Sequence, residues 1–225
     1  MCFSAQASFT VAAILAPAGA YCVGVAKHVD RKWLPLAVYP VAFSIQQLSE
    51  GFVWLGLNSG DEVTVALASR IFLFFSHFFW LAWVPFSIAQ LETEESRQKF
   101  LMALAVIAGA VGLSVYLPLL FMSDWLTVQS VEHSVEYSTV LVYDGIVSRT
   151  VMRTGYGLTI ATSLLISSHP RVRIFGILIV GALLIAQQFF FHALISVWCF
   201  FAAVLSMYIT MILAFEHRQQ LTASQ

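Results

Sequence analysis

The sequence predicts an all-α integral membrane protein: a bundle of seven transmembrane helices with the N-terminus outside, the C-terminus cytoplasmic, and a β-hairpin in the outer loop between helices 4 and 5. Three observations carry that fold class. Hydrophobic residues make up 60% of the 225 positions and charged residues 10%, against about 25% charged in an ordinary globular domain. The apolar residues gather into seven runs, each near the roughly 20 residues a helix needs to cross hydrocarbon. The Lys and Arg residues collect in alternate connections, as short cytoplasmic loops require.

The runs cover about residues 8–26, 33–57, 63–91, 100–122, 150–167, 172–192 and 196–215, one transmembrane domain over 1–225. No charged side chain precedes Lys27, so the first run lacks the basic segment of a cleaved signal peptide and is expected to stay in the mature chain. Lys27, Arg31 and Lys32 follow the first run, Arg97 and Lys99 the third, Arg171 and Arg173 the fifth. These connections, with Glu216 to Arg218, are expected inside, and the acidic turn from Asn58 to Glu62 outside. The last two runs meet in a very tight turn, because no charge separates Phe189 from Cys199.

Residues 124–149 form the one substantial loop. Val128, Ser130, Glu132, Tyr137, Val140 and Val142 fall near strand period among polar neighbours, which predicts a hairpin. Open strand edges are untenable in lipid but acceptable in water or against a bundle, so the hairpin is expected to cap the helix ends. A formal charge of -1 and a pI near 6.6 exclude a nucleic-acid face. Three cysteines, Cys2, Cys22 and Cys199, allow at most one disulfide and lack the paired spacing of a zinc knuckle.

Polar and ionisable side chains inside such runs are costly to bury and mark the informative positions. In helix 2, Gln47, Glu50 and Trp54 fall at i, i+3 and i+7 and share a face. Glu50 lies about 10 Å from the outer end at roughly 1.5 Å rise per residue. Arg70 in helix 3 lies at similar depth, and an ion pair with Glu50 is the structural alternative to a functional carboxylate. His77 follows Arg70 by seven residues. Gln188 and His192 share a face of helix 6, Cys199 opens helix 7 at a matching level, and Cys2 sits at the mouth of helix 1.

Glu50, His77 and His192 together form a competent ligand set for zinc or another transition metal, with Gln47 and Gln188 as supporting hydrogen bonders. Glu50 is the candidate general base to a metal-bound water. The competing expectation is that each histidine simply bonds to a neighbouring helix. Helix 5, with Arg153, Thr154, Tyr156, Thr159, Thr162 and Ser163, is the least apolar run and belongs in the bundle interior, where Arg153 offers a contact for an acidic headgroup or substrate.

The opening Met1-Cys2-Phe3-Ser4-Ala5, together with Gln46-Gln47-Leu48-Ser49-Glu50-Gly51-Phe52-Val53-Trp54, resembles a family of prokaryotic multi-spanning integral membrane proteins to which no function is assigned. That resemblance implies a prokaryotic inner membrane and draws attention to Cys2, Gln47, Glu50 and Trp54. The layout is also similar to that of the alkaline ceramidase superfamily, whose embedded histidines hold zinc. The sequence departs from it in helix 7, which offers Cys199 and no histidine before His217.

Three functions are therefore expected. The first is a metal-dependent hydrolase of a lipid or small molecule, built on Glu50, His77 and His192. The second is a small-solute transporter or receptor, with Gln47, Glu50, Arg70 and Gln188 lining a cavity without converging imidazoles. The third is a structural or accessory membrane subunit. The bilayer, and a lipid or small-molecule ligand, are the expected partners.

Overall fold

The computed structural model describes residues 4–131 and 134–223. Helix α1 (Ala5–Val29) is started by Ser4, whose side chain accepts from the Ala7 amide at 3.3 Å. A 3₁₀ turn (Arg31–Trp33) and a short helical segment (Leu34–Ala37) lead into α2 (Tyr39–Ser59). The expected single run over 33–57 is thus interrupted near Val38, between Pro35 and Pro40, each of which removes a backbone donor. Gly60 ends α2 at φ 70, a left-handed conformation that glycine adopts without steric cost. Asp61 then starts the next helix by accepting from the Val63 and Thr64 amides at 3.1 Å each. The Thr64 hydroxyl, followed by those two amide bonds, holds the Asp61 carboxyl below its ordinary range.

Helix α3 spans Glu62–Leu91 and widens into π turns over Phe74–Phe79. Helix α4 (Glu95–Phe121) packs back along it. A Cβ added at Gly112 of α4 would collide with the His77 carbonyl oxygen and come close to the Phe78 Cα, so α4 crosses the π turns at backbone contact. Gly112→Val is expected to cost about 1–3 kcal/mol, the usual range for overpacking. Thermal unfolding in detergent measures it, and an unchanged midpoint would contradict this contact.

Strands β1 (Leu126–Val131) and β2 (Ser134–Thr139) form the expected antiparallel hairpin, with Leu126 opposite Thr139 and Val128 opposite Tyr137. Helices α5 (Arg149–Leu165) and α6 (Pro170–Phe189) follow. The last helix, α7 (Phe191–Thr222), opens with a 3₁₀ turn at Phe191–Ala193 and breaks at Ser206 and Met207. At that break the Ser206 hydroxyl donates to the Ala203 carbonyl at 2.6 Å, a back-bond that bends helices.

Among the described residues five helices, α1, α3, α4, α6 and α7, are long and apolar enough to cross a membrane. Helix α2 carries Gln46, Gln47, Ser49 and Glu50 along its buried side. Helix α5 has 17 residues and two arginines. The exposed side of α2 is nonetheless apolar, with Ile45, Leu48, Phe52 and Leu55, while α5 exposes Val151 and Leu158 together with Arg149, Thr150, Arg153 and Thr154.

The connections fall at two ends. At one end the carboxylate of Glu92, buried in the turn after α3, accepts from the Ser168 amide at 2.7 Å and hydroxyl at 2.5 Å. Arg97 reaches the same carboxylate at 3.7 Å. The Trp33 and His169 rings pack edge to face at 4.9 Å, and Gln220 donates to the Val29 carbonyl. At the other end the hairpin lies over α3 and α7. Cys2, Glu132 and His133 lie outside the described residues.

Candidate functional site

Helix α2 supplies a buried polar row because Gln46, Gln47 and Glu50 all turn toward α3 and α7. Gln46 and Gln47 have no exposed surface, and Glu50 keeps 2%. The Gln46 Oε1 accepts from the Trp80 indole nitrogen at 2.8 Å. The Gln47 Nε2 donates to Glu50 Oε2 at 3.3 Å, and the Ser196 hydroxyl of α7 donates to Glu50 Oε1 at 2.5 Å. These bonds satisfy a carboxyl that burial would otherwise penalise heavily. Among the described residues the Gln47 Oε1 and Trp54 Nε1 remain buried without a hydrogen-bond partner.

The ion pair with Arg70, the structural alternative for Glu50, is absent among the described residues. Arg70 instead donates its Nε to the Leu119 carbonyl at 3.0 Å. Leu119 lies in the last turn of α4, where carbonyls have no intrahelical donor, and a cation there also meets the negative end of the helix dipole.

His77 sits in the π turns, with its Nδ1 3.0 Å from the Ser76 hydroxyl. A π turn shifts the helical phase, so the seven-residue spacing from Arg70 does not carry the two onto a common face. His192 lies in the 3₁₀ turn opening α7, its Nε2 buried and without a partner among the described residues. Gln188 is exposed on α6, away from the buried row. Cys199 is a free, buried thiol on α7. Among the described residues no three His, Cys, Asp or Glu side chains gather to hold a metal ion, the Glu50, His77 and His192 set included.

What does come together is a cavity of about 430 Å³ bounded by α3, α4, α5, the start of α7 and the hairpin. Most of its wall is aliphatic. The polar groups on it include His77, Tyr137, Tyr156, Cys199, Arg149 and Arg153. Tyr137 of β2 is its roof, lying flat on the Phe72 ring at 4.8 Å and 7°. Burial, then the neighbouring Glu50 and Cys199, push the Tyr137 phenol well above its ordinary range, so it stays protonated at neutral pH. The buried carboxyl row thus stands directly behind the cavity wall.

Arg149 is fixed at the cavity edge. It donates from Nε to Asp144 Oδ1 at 3.1 Å, and from a terminal nitrogen to Asp144 Oδ2 and the Thr139 carbonyl, both at 2.7 Å. The Leu141 amide and Arg149 together hold the Asp144 carboxyl below its ordinary range. The Tyr143 hydroxyl, 2.8 Å from Ser114, ties the same loop to α4.

Cys199 and Arg153 are the cavity residues that the sequence pattern singled out along with His77. Tyr137, Arg149, Tyr156 and Ser196 were not assigned a site role, although the strand alternation around Tyr137 was visible. Only their meeting across separate elements reveals them.

Residues 1–224 match a family described as "Family of unknown function (DUF6629)". No curated protein and no solved structure matches the chain, so the likeness to the ceramidase layout gains no support.

Proposed function

The chain belongs to the DUF6629 family of unknown function, and from the cavity we propose that it is a seven-span membrane protein that binds an amphiphile from the outer leaflet, as a receptor or transporter does. The observation that carries this reading is the cavity itself. Its volume lies within the roughly 300–1,000 Å³ of ordinary ligand sites, and its predominantly apolar wall with a few polar groups fits the same pattern.

A sideways opening of the cavity is supported by Ile107 and Val111 of α4 and Val151 of α5, which line it and are exposed, at 64%, 40% and 60%. A slot between two apolar helices admits a chain from the bilayer without passage through water. The basic connections, which meet at the end away from the hairpin, argue for that end being cytoplasmic. The hairpin and cavity mouth then face outward, and α2 and α5 count as the sixth and seventh spans.

This reading agrees with a pocket lacking converging imidazoles, though its wall is built from different residues than Gln47, Glu50 and Gln188. No comparable observation favours the metal-dependent hydrolase, because Glu50 is engaged by Ser196 and Gln47 behind the wall. A purely structural subunit has no use for a cavity of this size.

Gly155 provides the test. It lines the cavity, and a Cβ added there meets nothing within 4 Å. Gly155→Trp is expected to fill the cavity and lower binding of a brominated C18 chain at least 10-fold, read by tryptophan quenching in detergent. Its unfolding midpoint is expected to stay at or above the wild-type value, since replacing a helical glycine removes a penalty of up to about 1 kcal/mol. Undiminished binding in the variant would refute the assignment.

A further inference from the structure

We infer that the amphiphile in this cavity is anionic, its carboxylate or phosphate head held by Arg153. This rests on the cavity being the ligand site. Arg149 and Arg153 lie four residues apart on α5 and both line the cavity, so they stand one turn above the other on one helix face. Their situations differ. Arg149 is neutralised by Asp144 and anchored to the Thr139 carbonyl. Arg153, one turn deeper, has no carboxylate in ion-pair range among the described residues. Its guanidinium lies over the Phe191 ring, 4.8 Å from the centroid.

That stack holds Arg153 at the cavity edge and leaves its N–H donors, which lie in the plane of the guanidinium, free for a planar or tetrahedral oxyanion. The preceding arginine competes little for the ligand, since Asp144 matches its charge and its Nε and one terminal nitrogen are engaged by Asp144 and the Thr139 carbonyl. An unneutralised cation beside an apolar cavity is matched by a molecule with one anionic end and one apolar end.

Physical chemistry also makes the head decisive. A chain entering from a bilayer leaves one hydrocarbon surrounding for another, so the wall contributes little net driving force. Selection among amphiphiles then falls to the polar contact, where charge-assisted hydrogen bonds are the strong ones. An ordinary interfacial arginine that reaches for bulk headgroups predicts no such selection.

The test uses the full chain in a zwitterionic detergent and three probes: brominated oleate, brominated oleyl alcohol of the same chain, and inorganic phosphate. The wild type is expected to bind the oleate at least 10-fold more tightly than the alcohol. Arg153→Gln is expected to erase that gap by weakening oleate alone, and Arg153→Lys to restore most of it. Equal binding of both chains by the wild type, or a gap that survives in Arg153→Gln, would overturn the head assignment while leaving the cavity assignment standing. Binding of neither chain would overturn both. Inorganic phosphate is expected to displace oleate only weakly; displacement at micromolar phosphate, with no dependence on chain, would make Arg153 a site for the free anion and overturn the amphiphile.

Discussion

Tyr137→Ala is expected to unseat the hairpin and to lower stability by about 3 kcal/mol, the low end for deleting a buried aromatic side chain. A two-stranded hairpin is marginal by itself in water, so this one depends on what it rests against. Its main anchor is the Tyr137 ring, 8% exposed and stacked on Phe72, with Val135 buried beside it. Cross-strand pairing with Val128 fixes the register that turns Tyr137 inward. Removing the ring should release the amides of β1 and β2 to rapid hydrogen exchange and open the roof of the cavity.

Tyr137→Phe separates the two halves of that side chain. The phenol oxygen is buried without a hydrogen-bond partner among the described residues, so its loss removes no such bond and relieves a desolvated group. The variant is expected to stay within about 1 kcal/mol of the wild type, with the hairpin amides still protected. Thermal unfolding together with amide exchange measures both, and equal losses for Ala and Phe would show that the hydroxyl, not the stack, holds the roof.

The helical class and the hairpin were legible because each rests on a local pattern. Long apolar runs and scarce charge suffice for the helices, and alternation around Val128 and Tyr137 suffices for the strands. The site was legible only in part. Glu50 stands out because a carboxylate in an apolar run needs a reason, but its partners Ser196 and Gln47 had to be found in space. In a helix that is apolar on all sides the hydrophobic period no longer separates an inner from an outer face. Gln188, four residues from His192, therefore read as inward although it is exposed.

The π turns are a second source of error. Arg70 and His77 share a face in a regular α-helix, and nothing in Phe74 to Phe79 announces the change of phase. Arg70 ends on the Leu119 carbonyl while His77 lines the cavity. The cavity itself arises where α4 and α5 fail to close on each other, a long-range packing outcome without a residue signature. Arg153 was visible as a candidate for an acidic head; its contrast with the neutralised Arg149 depends on the loop that brings in Asp144.

Glu50→Ala is expected to destabilise the protein by about 3 kcal/mol, whereas Glu50→Gln should leave stability within about 1 kcal/mol. Alanine strands two buried donors, the Ser196 hydroxyl and the Gln47 amide, and a hydrogen bond to a charged acceptor is worth about 1.5–3 kcal/mol. Glutamine keeps the shape and still accepts from Ser196. Its new amide nitrogen conflicts with the Gln47 Nε2 only until Gln47 turns its amide over, which offers the Gln47 Oε1, an atom now buried without a partner. The exchange replaces one bond with another and, as in the wild type, leaves one end of the Gln47 amide without a partner. Because Glu50 lies behind the cavity wall instead of on it, Glu50→Gln is also expected to bind the brominated chain as the wild type does, the quenching assay and the unfolding midpoint being read on one preparation. A variant that melts normally but binds 10-fold more weakly would contradict that expectation and give the carboxyl a role in ligand capture, transmitted through Ser196 to Cys199 one helical turn along α7.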